Sequence, residues 1–371
     1  MVEAEAQLLR SAGHKVVELR TQNAQTPWRA GGQLAVSAWN PFAANRVRAL
    51  IQRYHPDVVH VHNTWFALSP SVLQSARRAG LPVVMTLHNY RLMCSNALLF
   101  REGKPCELCV GTSPWPGVRY RCYRGSLPAS GVAAFDIAFH QVRRTWQQDV
   151  DLFLALNEFG KGRFVAAGLP AHKIRIKPNF VADSGARVAS PSSSSALLFV
   201  GRLSTEKGIL ECLDAWQAAW KDRPAMRLLV VGDGPLRARA TERGLPGVKF
   251  LGRLSPSDVH RHMREARALL VPSLWYEGQP MVLLEALAAG LPILASDLGA
   301  NGELIEAHGT GWLAAPGDQD AWLGGLRRLL DDRAVDAAGD RARRLYEEQF
   351  SPKQGLRNLE DAYSAAGATL A

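Results

Sequence analysis

No apolar run in the chain approaches the ~20 residues a membrane-spanning helix needs, and none of its segments qualifies as one. The opening MVEAEAQLLRS lacks the basic-then-apolar pattern of a secretory signal, so a cytoplasmic location is expected. Cysteine is scarce, five residues in 371, and a cytoplasmic chain would keep them reduced, which argues against a disulfide framework. There is no helix-turn-helix, zinc-finger or RNP pattern, so no nucleic-acid partner is expected despite a net charge of +10. Internal repeats of solenoid type are also missing.

The positive charge is unevenly placed. Residues 1–180 hold 22 Lys and Arg against 10 Asp and Glu, a net of +12; residues 181–371 hold 22 against 24, a net of −2. All of the excess lies in the first half, which suits an anionic membrane surface or a phosphate-bearing ligand there. Four of the five cysteines, Cys94, Cys106, Cys109 and Cys122, crowd into one stretch with the spacing C-x11-C-x2-C-x12-C. Four thiolates can close a tetrahedral structural zinc site; the spacing is not a common zinc-finger one, and free thiols are the alternative. Cys212 reads as core packing.

Length and a 47% hydrophobic content allow two or three domains with proper cores. Strand and helix signals alternate throughout, as parallel α/β domains require. KVVEL, DVVHVH, PVVMTLH and DLFLALN read as strands of the first half, with SPSVLQSARRAG helical between them. The Ser-rich VADSGARVASPSSSS reads as a linker, and ALLFVG, MRLLVVGD, VKFLG, ARALLVPS and LPILAS form a second strand series. The expected division is 1–180 for an N-terminal domain, 181–195 for the linker, 196–350 for a C-terminal domain, and 351–371 for a final helix returning to the first domain. A doubly wound domain normally opens with a strand and a Gly-rich turn; this chain opens in a helical pattern, VEAEAQLLRSAGHKV, so an opening segment is expected to be missing from it.

Chemistry-bearing residues gather at strand ends. EGQPMVLLEALAAG sets Glu277 in a Gly-Pro turn after ARALLVPS and Glu285 within an amphipathic helix that stops at Gly290. Two acceptors so placed can meet one polyhydroxyl ligand, and the carboxyl end of a parallel strand is where such sheets bind ligands. GRLSTEKG joins strand ALLFVG to a helix; Arg202, Lys207 and the helix N-terminus make a diphosphate cradle, the bland alternative being a solvated basic turn. VVGDGPL, with Gly232 and Gly234, and LGANGELI, with Gly299, Gly302 and Glu303, are further glycine turns at strand ends. His88 ends the strand PVVMTL; a cleft-facing role and a backbone-satisfied strand-end histidine weigh equally. Of His60 and His62, His60 reads as core and His62 as nearer the strand mouth.

Taken together, GRLSTEKG, GDGPL, EGQPMVLLEALAAG and GTGWLAAPGD resemble the retaining glycosyltransferases of family 4, and HNYRLMC, CELC and YRCYRGS resemble a bacterial subgroup that assembles surface polysaccharides. The resemblance implies two Rossmann-like domains facing across a cleft, the GT-B architecture, with an N-domain lacking its first strand. It implies a nucleotide-sugar donor on the second domain, a glycan or lipid-linked acceptor on the first, and no catalytic cofactor. Gly201, Arg202 and Lys207 would hold the diphosphate, with Gly232 and Gly234 nearby. Glu285 would bind ribose, Glu277 and the backbone around Gly278, Gln279, Pro280 and Met281 the donor sugar region, and His88 the reacting region. Gln279 stands where an apolar or aromatic residue is frequent. Asp149-Val-Asp151 looks like a metal-chelating acidic pair but lies at the wrong end of a strand, so no metal is expected there. The competing readings are a non-catalytic or truncated nucleotide-sugar binder and another GT-B enzyme such as a nucleotide-sugar epimerase.

Overall fold

The computed structural model describes residues 1–21, 36–65, 67–220 and 225–369. The chain divides into two compact units: one holds Met1–Leu99, Cys106–Pro178 and Gly355–Ala371, the other Phe100–Pro105 and Asn179–Gln354. In chain order the strands are β1 (Val59–Val61), β2 (Val83–Leu87), β3 (Phe100–Arg101), β4 (Lys104–Pro105), β5 (Leu152–Ala155), β6 (Ile174–Ile176), β7 (Ala196–Val200), β8 (Arg227–Val231), β9 (Val248–Gly252), β10 (Ala268–Val271), β11 (Ile293–Ser296) and β12 (Gly311–Ala314).

The first unit contains a parallel sheet in the order β1-β2-β5-β6. β2 and β5 are buried along their whole length, which is why VVMTL and LFLA read as near-continuous apolar runs: a parallel sheet is covered on both faces. Helix starts carry their own signals. Asn40, Ser126 and Asn157 each accept a backbone N–H three residues on, and Pro41 occupies the first turn of the helix Pro41–Tyr54. The helix Pro352–Ala365 sends Leu359, Ala362 and Tyr363 into a cluster with Leu9, Val84, Leu152 and Leu154.

One expected strand is absent: KVVEL pairs with no described neighbour. The Val16 carbonyl instead accepts from the Arg10 guanidinium at 3.2 Å, and Val17 is exposed, so apolar content without a sheet partner leaves this segment irregular. Four strands lay outside the sequence reading: the two-residue pair β3 and β4, and β6 and β12 of the parallel sheets. All four are short and only partly buried, so they give little apolar signal.

The second unit carries a six-stranded parallel sheet in the order β12-β11-β10-β7-β8-β9. Side chains alternate between its faces. Leu198, Val231, Leu269 and Ile293 pack with Leu283, Leu284 and Leu287 of the helix Met281–Ala288. Leu197, Phe199, Leu228, Leu270 and Leu294 pack on the other side with Leu213, Trp216 and Trp322. Cys212 belongs to this second cluster, and burial pushes its thiol up to about 12. Residues 181–195 lie in this unit, where Asp336 accepts from the backbone N–H and the hydroxyl of Ser192.

Candidate functional site

In the second unit β7 and β10 are adjacent, but the chain leaves β7 toward β8 and leaves β10 toward β11. That reversal opens a crevice at the carboxyl ends of the two strands, the place where open parallel sheets take ligands. The loop after β7 is tied down by backbone bonds: Gly201 N–H to the Val231 carbonyl at 3.0 Å, Leu203 N–H to Asp233 at 3.0 Å, and Leu274 N–H to Glu206 at 2.9 Å. Glycine makes this approach feasible. A Cβ on Gly232 would stand 1.9 Å from the Gly201 carbonyl oxygen, and one on Gly208 1.8 Å from that of Pro272, both at positive φ. Gly234 meets Leu203 in the same way, at 2.4 Å.

The polar side chains converge over this frame. Lys207 Nζ lies 2.6 Å from Glu277 Oε1, and Ser273 Oγ donates to the same oxygen at 2.6 Å. The Lys207 ammonium also sits 5.5 Å from the centre of the Trp275 ring, a cation–π distance. Glu277 is almost fully buried, while Arg202 is exposed. Residues 70 apart in sequence thus form one charge pair at the switch point. Glu285 lies on the helix Met281–Ala288, 4.0 Å from His260 Nε2; burial raises its carboxyl, and the histidine opposes that. Pro280 is the N-cap of this helix and offers no side-chain cap. Gln279 turns its carbonyl oxygen to the Asn179 N–H at 2.6 Å, so that atom is engaged within the protein. Met281 packs against the core. Gly299 adopts a positive φ just before the short helix Asn301–Ile305.

In the first unit His62 and His88 each follow the last residue of neighbouring parallel strands, β1 and β2. Their rings meet, His62 Nδ1 to His88 Nε2 at 2.9 Å. His62 Nε2 lies 3.3 Å from Glu5 Oε2, and Glu5 Oε1 is bonded to the ammonium of Lys177, both of them buried. Burial holds His62 and His88 down to about 4, with Lys177 acting the same way on both and the His62 ring on His88. Both rings are therefore neutral at neutral pH. His60 is a satisfied core residue, its two nitrogens engaged by Tyr363 at 2.9 Å and Thr86 at 2.7 Å. Among the described residues Glu5, His60 and His62 are the one group of three acidic, histidine or cysteine side chains converging within 4.8 Å; Lys177, Tyr363 and Thr86 already fill it.

His62 and His88 also line a pocket of ≈ 570 Å³, counting the part open to solvent, with Asn63, Trp65, Arg91, Asp136, His140 and Trp146. The Arg91 guanidinium stacks 4.5 Å from the Trp65 ring centre and 5.2 Å from that of Tyr123. Asp136 is buried, accepts from Ser37 at 3.1 Å, and has a second oxygen without a partner; burial pushes its carboxyl up to about 6. Aromatic faces, a guanidinium and an unsatisfied carboxyl suit a hydroxyl-rich ligand. Sequence reasoning missed Glu5, Lys177, Asp136, Ser273 and His260. A lone acid in the otherwise apolar LPASGVAAFDIAFHQV was the available signal for Asp136.

The thiols of the four clustered cysteines have protein neighbours of their own in this arrangement. Cys94 donates to Asn96 at 2.9 Å, Cys109 lies 3.9 Å from the Pro114 carbonyl, and no three of the sulfurs come within 4.8 Å of one another. They are nonetheless neighbours: burial first, then the other three thiols, push Cys109 up to about 11. Asp151 accepts from the Val83 N–H and from Arg77, a structural role at the start of β5. No described helix is long and apolar enough to cross a membrane.

Comparison with known proteins adds to this geometry. Residues 2–179 match the family described as Glycosyl transferase 4-like domain, and residues 184–349 match Glycosyl transferases group 1. The chain is 28% identical over 225 residues to the amylovoran biosynthesis glycosyltransferase AmsK of Erwinia amylovora, covering 57% of this chain and 55% of that protein. It is 30% identical over 222 residues to a lipopolysaccharide 1,2-N-acetylglucosaminetransferase of Salmonella typhimurium, covering 53% and 58%. The chain thus spans somewhat over half the length of these curated relatives. Among solved structures, a sucrose-phosphate synthase from Thermosynechococcus elongatus superposes with a TM-score of 0.68 at 18% identity, covering 98% and 92% of the two chains. Anabaena Alr3699/HepE in complex with UDP-glucose gives 0.61 at 18%, covering 86% and 82%. At these identities the likeness is one of fold.

Proposed function

The chain belongs to the family 4-like glycosyltransferases of GT-B fold, and on that premise we propose that it moves a sugar from a nucleotide-sugar to a glycan or lipid-linked acceptor, with retention and without a metal. The observation that carries this reading is the Lys207–Glu277–Ser273 constellation at the switch point of the second sheet. A glycosyl transition state carries oxocarbenium character and expels a diphosphate, so positive charge on the leaving side lowers the barrier. Lys207 and Arg202 supply that charge, which removes the need for a divalent cation. Glu285 takes the ribose hydroxyls, and Glu277, with the backbone N–H groups of Gly278, Gln279 and Met281, the donor sugar.

Glu277 is poorly suited to act as a nucleophile, because its Oε1 already accepts from an ammonium and a hydroxyl. Retention then fits front-face attack, with the departing phosphate taking the acceptor proton. His88 is given a role in the reacting region, as the family resemblance implies. The acceptor is assigned to the pocket of Trp65, Arg91 and Asp136, and the basic excess of the first half to an anionic membrane face in the cytoplasm. Polysaccharide or glycolipid assembly is the setting suggested by the named relatives. Zinc at Cys94, Cys106, Cys109 and Cys122 would need the loop to close further, and no catalytic step depends on it.

The test is calorimetry of this chain and of Glu285→Ala against a panel of nucleotide-sugars, UDP-sugars first because a structural neighbour is known with UDP-glucose. Selective binding of one donor, weakened about tenfold in the variant, supports the reading; binding of none of them overturns the donor site.

A further inference from the structure

Glu5 Oε2 is a buried carboxylate oxygen without a hydrogen-bond partner, and His62 Nε2 lies 3.3 Å from it. Its other oxygen is occupied by the Lys177 ammonium. An ionised carboxylate only accepts, so the His62 proton belongs on Nε2. A neutral imidazole has one N–H, so His62 Nδ1 is then an acceptor. It faces His88 Nε2 at 2.9 Å, and that contact is a hydrogen bond only if His88 carries its proton on Nε2. The lone pair of His88 is left on Nδ1.

We propose that Glu5 and His62 are positioning residues that lock His88 in the Nε2–H tautomer, so that its Nδ1 is a hydrogen-bond acceptor toward whatever hydroxyl enters the pocket. The inference deepens the proposed function, since it rests on His88 serving the transfer. Lys177 anchors the far end, a buried ammonium holding Glu5 with its acceptor turned to His62. Groups one contact removed from a working histidine commonly set its tautomer in this way.

The assignment is read from the ring nitrogen signals of histidine-labelled wild-type protein, with His88→Gln identifying the His88 pair. The expected spectrum shows His88 protonated at Nε2 and bare at Nδ1; the opposite tautomer overturns the proposal. Glu5→Gln tests the relay by inversion. The amide oxygen faces Lys177, its NH2 faces His62 Nε2, and both rings switch, so that His88 donates from Nδ1. Turnover falls about tenfold or more at an unchanged donor KM. An uninverted ring overturns the relay, and an inverted ring with full kcat overturns the positioning role. Should Glu5→Gln not fold, because Lys177 has lost its counter-charge, His62→Phe leaves that pair intact; it releases His88 to a mixture of tautomers with the same loss of kcat, and a still-locked ring overturns the relay. The spectra are taken on the chain without substrate, so they stand apart from any failure to find transfer.

Discussion

In the second unit the candidate site rests on main chain: three loops at the ends of β7, β8 and β10 are pinned by backbone hydrogen bonds, with glycines where the strands of loop touch. In the first unit the candidate pocket rests on side chains instead, a file of buried Lys177 and Glu5 and half-buried His62 and His88 beside Asp136. Most of the buried polar and charged residues fall in that unit. The contrast shows two ways to hold a functional group still. A backbone frame tolerates side-chain change but no added Cβ, whereas a buried polar network tolerates neither the loss of a partner nor a change of protonation.

The contrast can be broken from either side. The largest effect is expected from Lys207→Met, which removes the charge beside the leaving group; kcat should fall about a hundredfold or more, read in a transfer assay, and near-normal turnover would detach the second unit's frame from catalysis. Gly232→Ala comes next. Its Cβ meets the Gly201 carbonyl oxygen at 1.9 Å, and we expect a loss of about 3 kcal/mol. By comparison Gly168→Ala, at a positive φ with open space around it, should cost about 1 kcal/mol. Denaturant titration of both variants measures the difference.

Acidification should act on the first unit. His62 and His88 have folded values of about 4 against 6.5 for a free histidine, so the unfolded chain binds more protons between those values. Their contribution is full above pH 6.5 and lost as the pH falls through 4. One such histidine corresponds to about 3 kcal/mol, and because the two rings share a bond the pair should cost about that once. Asp136, raised to about 6, works in the opposite sense and offsets part of it. Hydrogen exchange should show the amides of Val84 and Leu154 losing protection before those of Leu198 and Leu269. Glu285→Ala should weaken donor binding about tenfold with little change in stability. EDTA should leave turnover unchanged; a reversible loss on chelation would replace the lysine-based account with a metal-based one.

How much of this was legible in sequence follows the same divide. Glycine turns, the EGQPMVLLEALAAG run and the apolar strands are local signals, so the second unit's loop frame and all of both parallel sheets except β6 and β12 could be read directly. Lys207 and Glu277 were singled out separately, and their contact followed once β7 and β10 became neighbours. Glu5 and Lys177 could not be read. They are 172 positions apart, and a glutamate in VEAEAQLL or a lysine in IRIKPNF looks like any solvated charge. KVVEL misled because apolar composition does not supply a pairing partner.

The first unit is discontinuous: His60 of β1 is bonded to Tyr363, and Leu9 shares a cluster with Leu359. On a ribosome adding about 5–20 residues per second, the unit whose synthesis starts first must wait for residues 359–363 before its core can close. The second unit's sheet, β7 to β12, is already complete by Ala314. During that interval Glu5, Lys177 and the β2 and β5 faces stay open to solvent and to chaperones, so substitutions in the late helix should reduce the yield of folded protein more than its final stability.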